Sequence, residues 1–367
     1  MKEFYILINS LAQGGAERVA SELSWYVEEK GYTPIFLLTD GYAVEYDIAP
    51  SSRVEVLPLC ALSRTGLFLV SVFVQAIYIR YSIRGGVNLI SFLHRANIVN
   101  CLSGAWSRRN VVVSERSLFS KSYSGFKRLI LKLLLKFCYS RADSIVAISE
   151  LVKLELVDNL AVRSEKICVL NNPVNYSQFN FKGACRELGS DDAVRFCCVG
   201  RMVKSKRHFL VIKLFHKLSI FFPQAELHLC GDGPERESLE LLARQLGVEN
   251  RCYFYGKVED VSSVLNHCDV FLFFSEFESF GNVATEALAC GLPVIYSENL
   301  LSFDEIFRGS TVLSYSAKQE LEDADVREMV DYLVRFDRAL YCFERLAQLE
   351  RFDRVSIFSK YLDRVVA

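Results

Sequence analysis

The twelve cysteines of this chain include no C-x-x-C pair, and its five histidines form no H-x3-H or comparable ligand pair, so no zinc site is written into it. Cys197, Cys198, Cys230, Cys252 and Cys290 sit in apolar runs, which fits buried thiols in a reducing compartment and predicts a cytoplasmic protein. Neither sign of charge dominates: 43 basic residues stand against 44 acidic ones, which excludes a general nucleic-acid binder with a strongly basic surface. The longest apolar run, Leu67 to Ile79, contains Ser71 and Gln75 and falls short of the ~18 to 20 residues a membrane-spanning helix needs. The apolar stretch at the N-terminus is too short for a signal peptide and reads as a first strand. The only D-x-D, Asp323 to Asp325, lies in a charged helical stretch and reads as a solvated face.

What is present is an alternation. With 367 residues, half of them apolar, the chain suits two globular domains. Strands are expected at Phe4 to Asn9, Ile35 to Thr39, Val54 to Leu57, Val87 to Phe92, Val111 to Val113, Ser144 to Ile148 and Ile167 to Leu170, with helices between them. That pattern implies a parallel sheet wound on both faces. Asn171 to Asn175, with Pro173 at its centre, reads as a link. The alternation then resumes at Arg195 to Val199, Glu226 to Cys230, Cys252 to Tyr255, Asp269 to Phe274, Val294 to Tyr296 and Thr311 to Ser314, a second Rossmann-like domain. The expected domains are 1–172 and 173–350, followed by a helical segment, 351–367.

The stretch from Ser275 to Pro293 carries the clearest chemistry. A buried strand runs through a loop holding Glu278 into a short helix holding Glu286, which ends at Gly291 with Pro293 just beyond. Two helical residues so spaced would stand about 12 Å apart along the axis, but with Glu278 in the loop both carboxylates can face one bound molecule. Between them the N–H groups of Phe280, Gly281, Asn282 and Val283 form a helix N-terminus, a site for phosphate, and a carboxylate beyond it can accept the hydroxyls of a ribose. Gly200 to Arg207 follows the first strand of the same domain, so Arg201 and Lys206 can reach a diphosphate docked on that turn.

Glu278 and Glu286, with the S-F-G-N between them, resemble the E-x7-E motif of the retaining glycosyltransferases of family 4. The resemblance covers most of the chain. It implies a GT-B fold of class α/β: two Rossmann-like domains facing a central cleft, with the C-terminal helix crossing back to the first. It assigns Glu278 to the donor sugar and Glu286, with Ser279, to the nucleotide. The G-R-x4-K of relatives matches Gly200 to Lys206 and assigns diphosphate binding to Arg201 and Lys206. Gly231, in Cys230 to Pro234, matches a G-x-G-P turn near the nucleotide, and Val258 falls where relatives hold the base through backbone atoms.

In the first domain the assignments stay open. Gly14 and Gly15 follow the first strand, without the full G-x-G-x-x-G of a dinucleotide dehydrogenase. They either let backbone approach a ligand or serve a turn needing positive φ. The resemblance assigns Gly15 to the donor and Gly14 to the acceptor. His94, in a stretch similar to the S-F-L-x-x-x-N of polysaccharide-building relatives, is either functional or a hydrogen-bonded histidine at a helix start. Arg116 either holds an acceptor phosphate or pairs with Glu115. Lys127 to Arg141 places cations along a leucine-rich helix; with Leu67 to Ile79, Arg80 and Arg84, it reads as a membrane-surface segment or a solvated face.

The function these residues imply is transfer of a sugar from a nucleoside diphosphate, UDP, with retention, to a glycan acceptor, lipid-linked, in cell-surface polysaccharide synthesis. No cofactor and no metal are expected, since the only D-x-D does not follow a buried strand, and Arg201, Lys206 and the helix terminus are then left to meet the leaving group's charge. Two rivals are a nucleotide-sugar hydrolase or epimerase of the same architecture and a non-catalytic nucleotide-binding subunit.

Overall fold

The computed structural model of the chain describes residues 2–12, 14–41, 44–65, 67–83, 87–105, 109–122, 125–181, 193–307, 314–317, 322–336 and 338–366. The expected positions Arg84 and 311–313 lie outside them, as does the side chain of Lys127. The chain divides into two compact units, one made of Met1–Pro173 with Arg354–Ala367, the other of Val174–Asp353.

The first unit is built on seven strands: β1 (Lys2–Ile8), β2 (Tyr32–Leu38), β3 (Arg53–Val56), β4 (Asn88–Phe92), β5 (Val112–Glu115), β6 (Ser144–Ala147) and β7 (Ile167–Val169). They lie in the order β3-β2-β1-β4-β5-β6-β7, every pair parallel. Parallel strands need crossovers, and the helices that supply them cover both faces, which is why the strands are near-continuous Val, Ile, Leu and Phe. One side of the core is Phe4, Ile6, Ile8, Phe36, Ile90 and Phe92 against the helix Gly15–Glu29 and, from the far end of the sequence, Ile357, Phe358, Tyr361 and Val365 of the helix Arg354–Val366.

The second unit repeats the plan with β8 (Arg195–Val199), β9 (Glu226–Cys230), β10 (Cys252–Gly256), β11 (Val270–Phe273), β12 (Val294–Ser297) and β13 (Ser314–Ala317), in the order β10-β9-β8-β11-β12-β13, again all parallel. Its core packs Phe196, Leu227, Leu229, Leu272 and Phe274 against Val211, Ile212 and Phe215 of the helix His208–Phe221.

Each sheet reverses its winding once, between β1 and β4 in the first unit and between β8 and β11 in the second. Beyond the carboxyl ends of such a strand pair the adjoining loops diverge to opposite faces and leave a crevice, the usual ligand position in this architecture. The residues of interest follow these four strands: Gly14 and Gly15 after β1, His94 after β4, Gly200 to Lys206 after β8, and Ser275 to Gly281 after β11. No helix among the described residues is long and apolar enough to cross a membrane.

Two local expectations change. Ser114 and Glu115 belong to β5 itself, leaving Arg116 as the first residue after it. Asp325 is not a solvated charge: it is buried and closes a capping box with Glu322 at the start of the helix Asp323–Val334, accepting from the Glu322 N–H at 3.0 Å. Asp323 is exposed and pairs with Lys217 at 2.7 Å.

Candidate active site

In the second unit three strand ends are laced together through backbone. Gly200 N–H donates to the Cys230 carbonyl at 2.9 Å, Met202 N–H to Asp232 at 2.9 Å, and Gly231 N–H to Gly256 at 2.7 Å. Side chains would prevent this approach. Gly231 has φ +132°, and a Cβ there would lie 1.9 Å from the Gly200 carbonyl oxygen; at Gly233, φ +157°, it would lie 2.4 Å from that of Met202. The lacing holds the loop after β8 in place. Arg201 projects from it into solvent, and Lys206 ends a single 3-10 turn, Lys204–Lys206.

The loop after β11 is fastened to the same place. Glu276 N–H donates to the Ser205 carbonyl at 2.7 Å. Asn299 donates its amide to the carbonyls of Ser275, at 3.2 Å, and Glu276, and Ser302 Oγ donates to that of Glu278 at 3.1 Å. Between these anchors Glu278 Oε1 accepts from Lys206 Nζ, whose ammonium also lies 5.4 Å from the centroid of the Phe273 ring. The sequence thus brings Lys206 and Glu278 into one ion pair across 72 positions.

The helix that follows, Asn282–Ala289, starts at Gly281, whose φ of +98° and lack of Cβ let it seat against the Phe303 ring. Its N-cap residue has no side chain with which to cap it, and its first turn carries the positive end of a helix dipole. The four-residue terminus read from the sequence shifts accordingly: Phe280 is buried, its ring edge-on to Phe352 at 5.9 Å, while Gly281, Asn282 and Val283 are half-buried. Ser279 is half-buried in the loop, and Glu286 is buried on the helix one turn beyond its start. Val258 is half-buried in the loop after β10, two residues before Asp260 caps the next helix by accepting from Ser263 N–H at 3.2 Å.

Sequence reasoning passed over three contributors. Asn299 and Ser302, after β12, position the acidic loop, and only their turn-forming residue types could have flagged them. His208 is the third. It opens the helix His208–Phe221 directly after Arg207, which sits at φ +49°, and both its ring nitrogens are buried without a hydrogen-bond partner. Burial, with Lys206 nearby, pushes its pKa down to about 4, so the imidazole stays neutral under the cationic loop.

In the first unit Gly14 is extended, φ −173°, a conformation open to any residue, so the positive-φ turn is not its reason. Its N–H donates to the Tyr46 hydroxyl at 3.3 Å, and that hydroxyl donates to its carbonyl at 3.1 Å. Gly15 begins the helix Gly15–Glu29 and is exposed. His94 begins the helix His94–Gly104, after Leu93 at φ +75°, a strained position for a bulky residue. It is buried, its Nε2 lies 3.3 Å from Glu115 Oε2, and its ring is edge-on to Phe119 at 5.9 Å. Glu115 also accepts from the Tyr139 hydroxyl. Arg116 is buried and committed to the fold. Its guanidinium donates to Tyr361 Oη at 2.8 Å, to Ser114 Oγ at 3.2 Å and to Asn172 Oδ1, while its backbone N–H donates to the Glu115 carboxylate at 2.9 Å. It ties β5 to the helix Arg354–Val366 and to the link. Among the described residues no three His, Cys, Asp or Glu side chains are gathered so as to hold a metal ion.

Two parallel Rossmann-like units, the second with a lysine–glutamate pair in the loops before a glycine-started helix that carries a further glutamate, define a GT-B-type α/β protein. Known proteins give that class a family. Residues 13–178 match the model of Glycosyltransferase Family 4 and residues 186–320 that of Glycosyl transferases group 1. The chain belongs to these group 1, family 4 glycosyltransferases. Among its relatives is the N-acetylgalactosamine-N,N'-diacetylbacillosaminyl-diphospho-undecaprenol 4-alpha-N-acetylgalactosaminyltransferase of Campylobacter jejuni, 27% identical over 313 residues and 84% of each chain. Among solved structures, Anabaena HepE in complex with UDP and glucose aligns with a TM-score of 0.76 at 18% identity over 99% of each chain. Sucrose-phosphate synthase of Thermosynechococcus elongatus aligns with 0.79 at 17% identity, covering 99% of this chain and 98% of its own.

Proposed function

We propose that the chain transfers a hexose or N-acetylhexosamine from a UDP-linked donor, with retention at the anomeric carbon, to a lipid-linked glycan acceptor in cell-surface polysaccharide synthesis. One observation carries the donor assignment: the loop bearing Arg201 and Lys206 is fastened to the loop bearing Glu278, which leads directly into the glycine-started helix that holds Glu286. Diphosphate meets cations and helix dipole there, and Glu286 takes the ribose hydroxyls. The bond from the anomeric carbon to the phosphate oxygen breaks as the bond to the acceptor oxygen forms on the same face. The departing phosphate oxygen takes the acceptor's proton, so no side-chain nucleophile is required. Glu278 lies near the donor sugar; Arg201, Lys206 and the helix terminus meet the charge on the leaving diphosphate without a metal ion. His94, Gly14 and Gly15 belong to the first unit, which takes the acceptor.

The lipid-linked acceptor is supported by the Campylobacter relative, whose name specifies a diphospho-undecaprenol substrate. It is supported also by an apolar surface on the first unit. The helices Phe68–Ser82 and Gly125–Arg141 both pack on His94–Gly104 and expose Phe73, Ile77, Tyr81, Leu129, Leu133 and Phe137. Arg128 and Lys136 stand exposed among them, the composition of a face that rests on the cytoplasmic side of an anionic membrane.

The test is transfer itself. A panel of nucleotide sugars should protect the chain from thermal unfolding, UDP sugars most, and product should form only with acceptor present, with the donor's anomeric configuration and in EDTA. Lys206→Ala should lower turnover by about a hundredfold or more. Product without acceptor, or near-normal turnover in Lys206→Ala, would overturn the reading.

A further inference from the structure

The two cations of the basic loop are not equivalent. Arg201 is exposed and no side chain among the described residues partners it, whereas Lys206 is held by Glu278. Both members of that pair are largely shielded, 24% and 17% exposed, so water screens them less than it would a surface pair. Each is also fixed through its backbone. Lys206 N–H closes its turn on the Val203 carbonyl at 2.9 Å, the Glu278 carbonyl is held by Ser302, and the adjoining residues Ser205 and Glu276 are bonded to each other. The Phe273 ring lies beside the ammonium, and neutral His208 and the buried Cys198 thiol, its pKa pushed up to about 12, are close enough to feel its charge, none of them an anion; Glu276, the next acid along, approaches Arg207 at 4.0 Å instead.

We propose that Glu278, in addition to its place at the donor sugar, is the resting partner of Lys206 and sets how long the site keeps a nucleoside diphosphate. Bound diphosphate takes the ammonium from the carboxylate, and the carboxylate takes it back as the product diphosphate leaves. The inference rests on the proposed nucleoside-diphosphate site. Its physical content is competition: two anions share one ammonium, so each lowers the other's hold on it, and separating the pair is subtracted from the affinity for diphosphate. A carboxylate at a phosphate-binding site then weakens ground-state binding in exchange for release.

The experiment is a double-mutant cycle read by calorimetric binding of UDP, GDP and ADP to the full chain carrying Glu278→Gln, Lys206→Gln, both or neither. Glu278→Gln should bind the preferred diphosphate about tenfold more tightly, through slower dissociation, while Lys206→Gln binds it more weakly. In the Lys206→Gln background, Glu278→Gln should change affinity by less than about twofold. Equal or weaker binding by Glu278→Gln overturns the proposal. An undiminished gain without Lys206 also overturns it, because the carboxylate would then be repelling phosphate directly. Failure of all three nucleotides to bind the unaltered chain removes the donor site itself, and this inference with it. Thermal melts accompany each variant; should Glu278→Gln not fold, Glu278→Asp, whose shorter side chain slackens the pair, must shift affinity in the same direction.

Discussion

His208 converts burial into a pH response. Above its ordinary pKa of 6.5 the imidazole is neutral whether the chain is folded or not; below it, the unfolded chain takes a proton that the folded one refuses until about pH 4. Stability is therefore full above pH 6.5 and drains away as the pH falls toward 4, by about 3 kcal/mol for a shift of this size. His228, lowered by burial beside Tyr253 and Tyr255, acts in the same direction. Denaturant titrations at pH 7 and 4.5 should show a smaller loss in His208→Phe than in the unaltered chain, and an identical loss would dismiss the assignment. Legibility at this scale followed distance along the chain. Glu278 and Glu286 stand eight positions apart, and their neighbours alone put one in a loop and one on a helix. Arg116 could not be read in that way, because its hydroxyl partner on Tyr361 lies 245 positions away and only the fold brings the two together.

Among the elements, the strand ends matter more than the strands. β8, β9 and β10 were visible as apolar runs with sharp turn signals, but the contact between their loops was not, since it is made by backbone. Gly231 is its narrowest point. Gly231→Ala forces a left-handed φ on a residue with a side chain and drives the new methyl into the Gly200 carbonyl, so the second unit should lose about 3 kcal/mol and the Arg201 loop its register. Nucleotide affinity should fall with it; an unchanged melting temperature would show that the loops can separate at little cost. The helix Asn282–Ala289 makes the complementary point. Its existence followed from Gly291 and Pro293, but that Phe280 is withdrawn from its exposed start did not, because Phe352, 72 positions away, takes that ring into the core.

For the whole molecule, alternating strands and helices made two parallel-sheet units legible, since parallel strands buried on both faces leave near-continuous apolar runs. What alternation cannot convey is which surface stays uncovered. Leu67 to Ile79 suited a core helix as well as an interfacial one, and only the fold leaves Tyr81 80% and Leu133 62% exposed. Sedimentation with anionic vesicles should retain the chain at low salt and release it as salt rises, each cation contributing about 1 kcal/mol, while Leu133→Asp with Phe137→Asp abolishes retention. No retention on anionic vesicles at any salt would discard the membrane surface.

The helix Arg354–Val366 carries a consequence for biosynthesis. The second unit is one unbroken segment, Val174–Asp353, whereas the first needs Phe358 and Tyr361 from beyond it to complete its core. On the ribosome, then, the later half acquires everything it requires before the earlier half does. The first sheet, covered on one face by the helix Gly15–Glu29 alone until then, is expected to complete its core only when the thirteen-residue helix Arg354–Val366 emerges after the second unit.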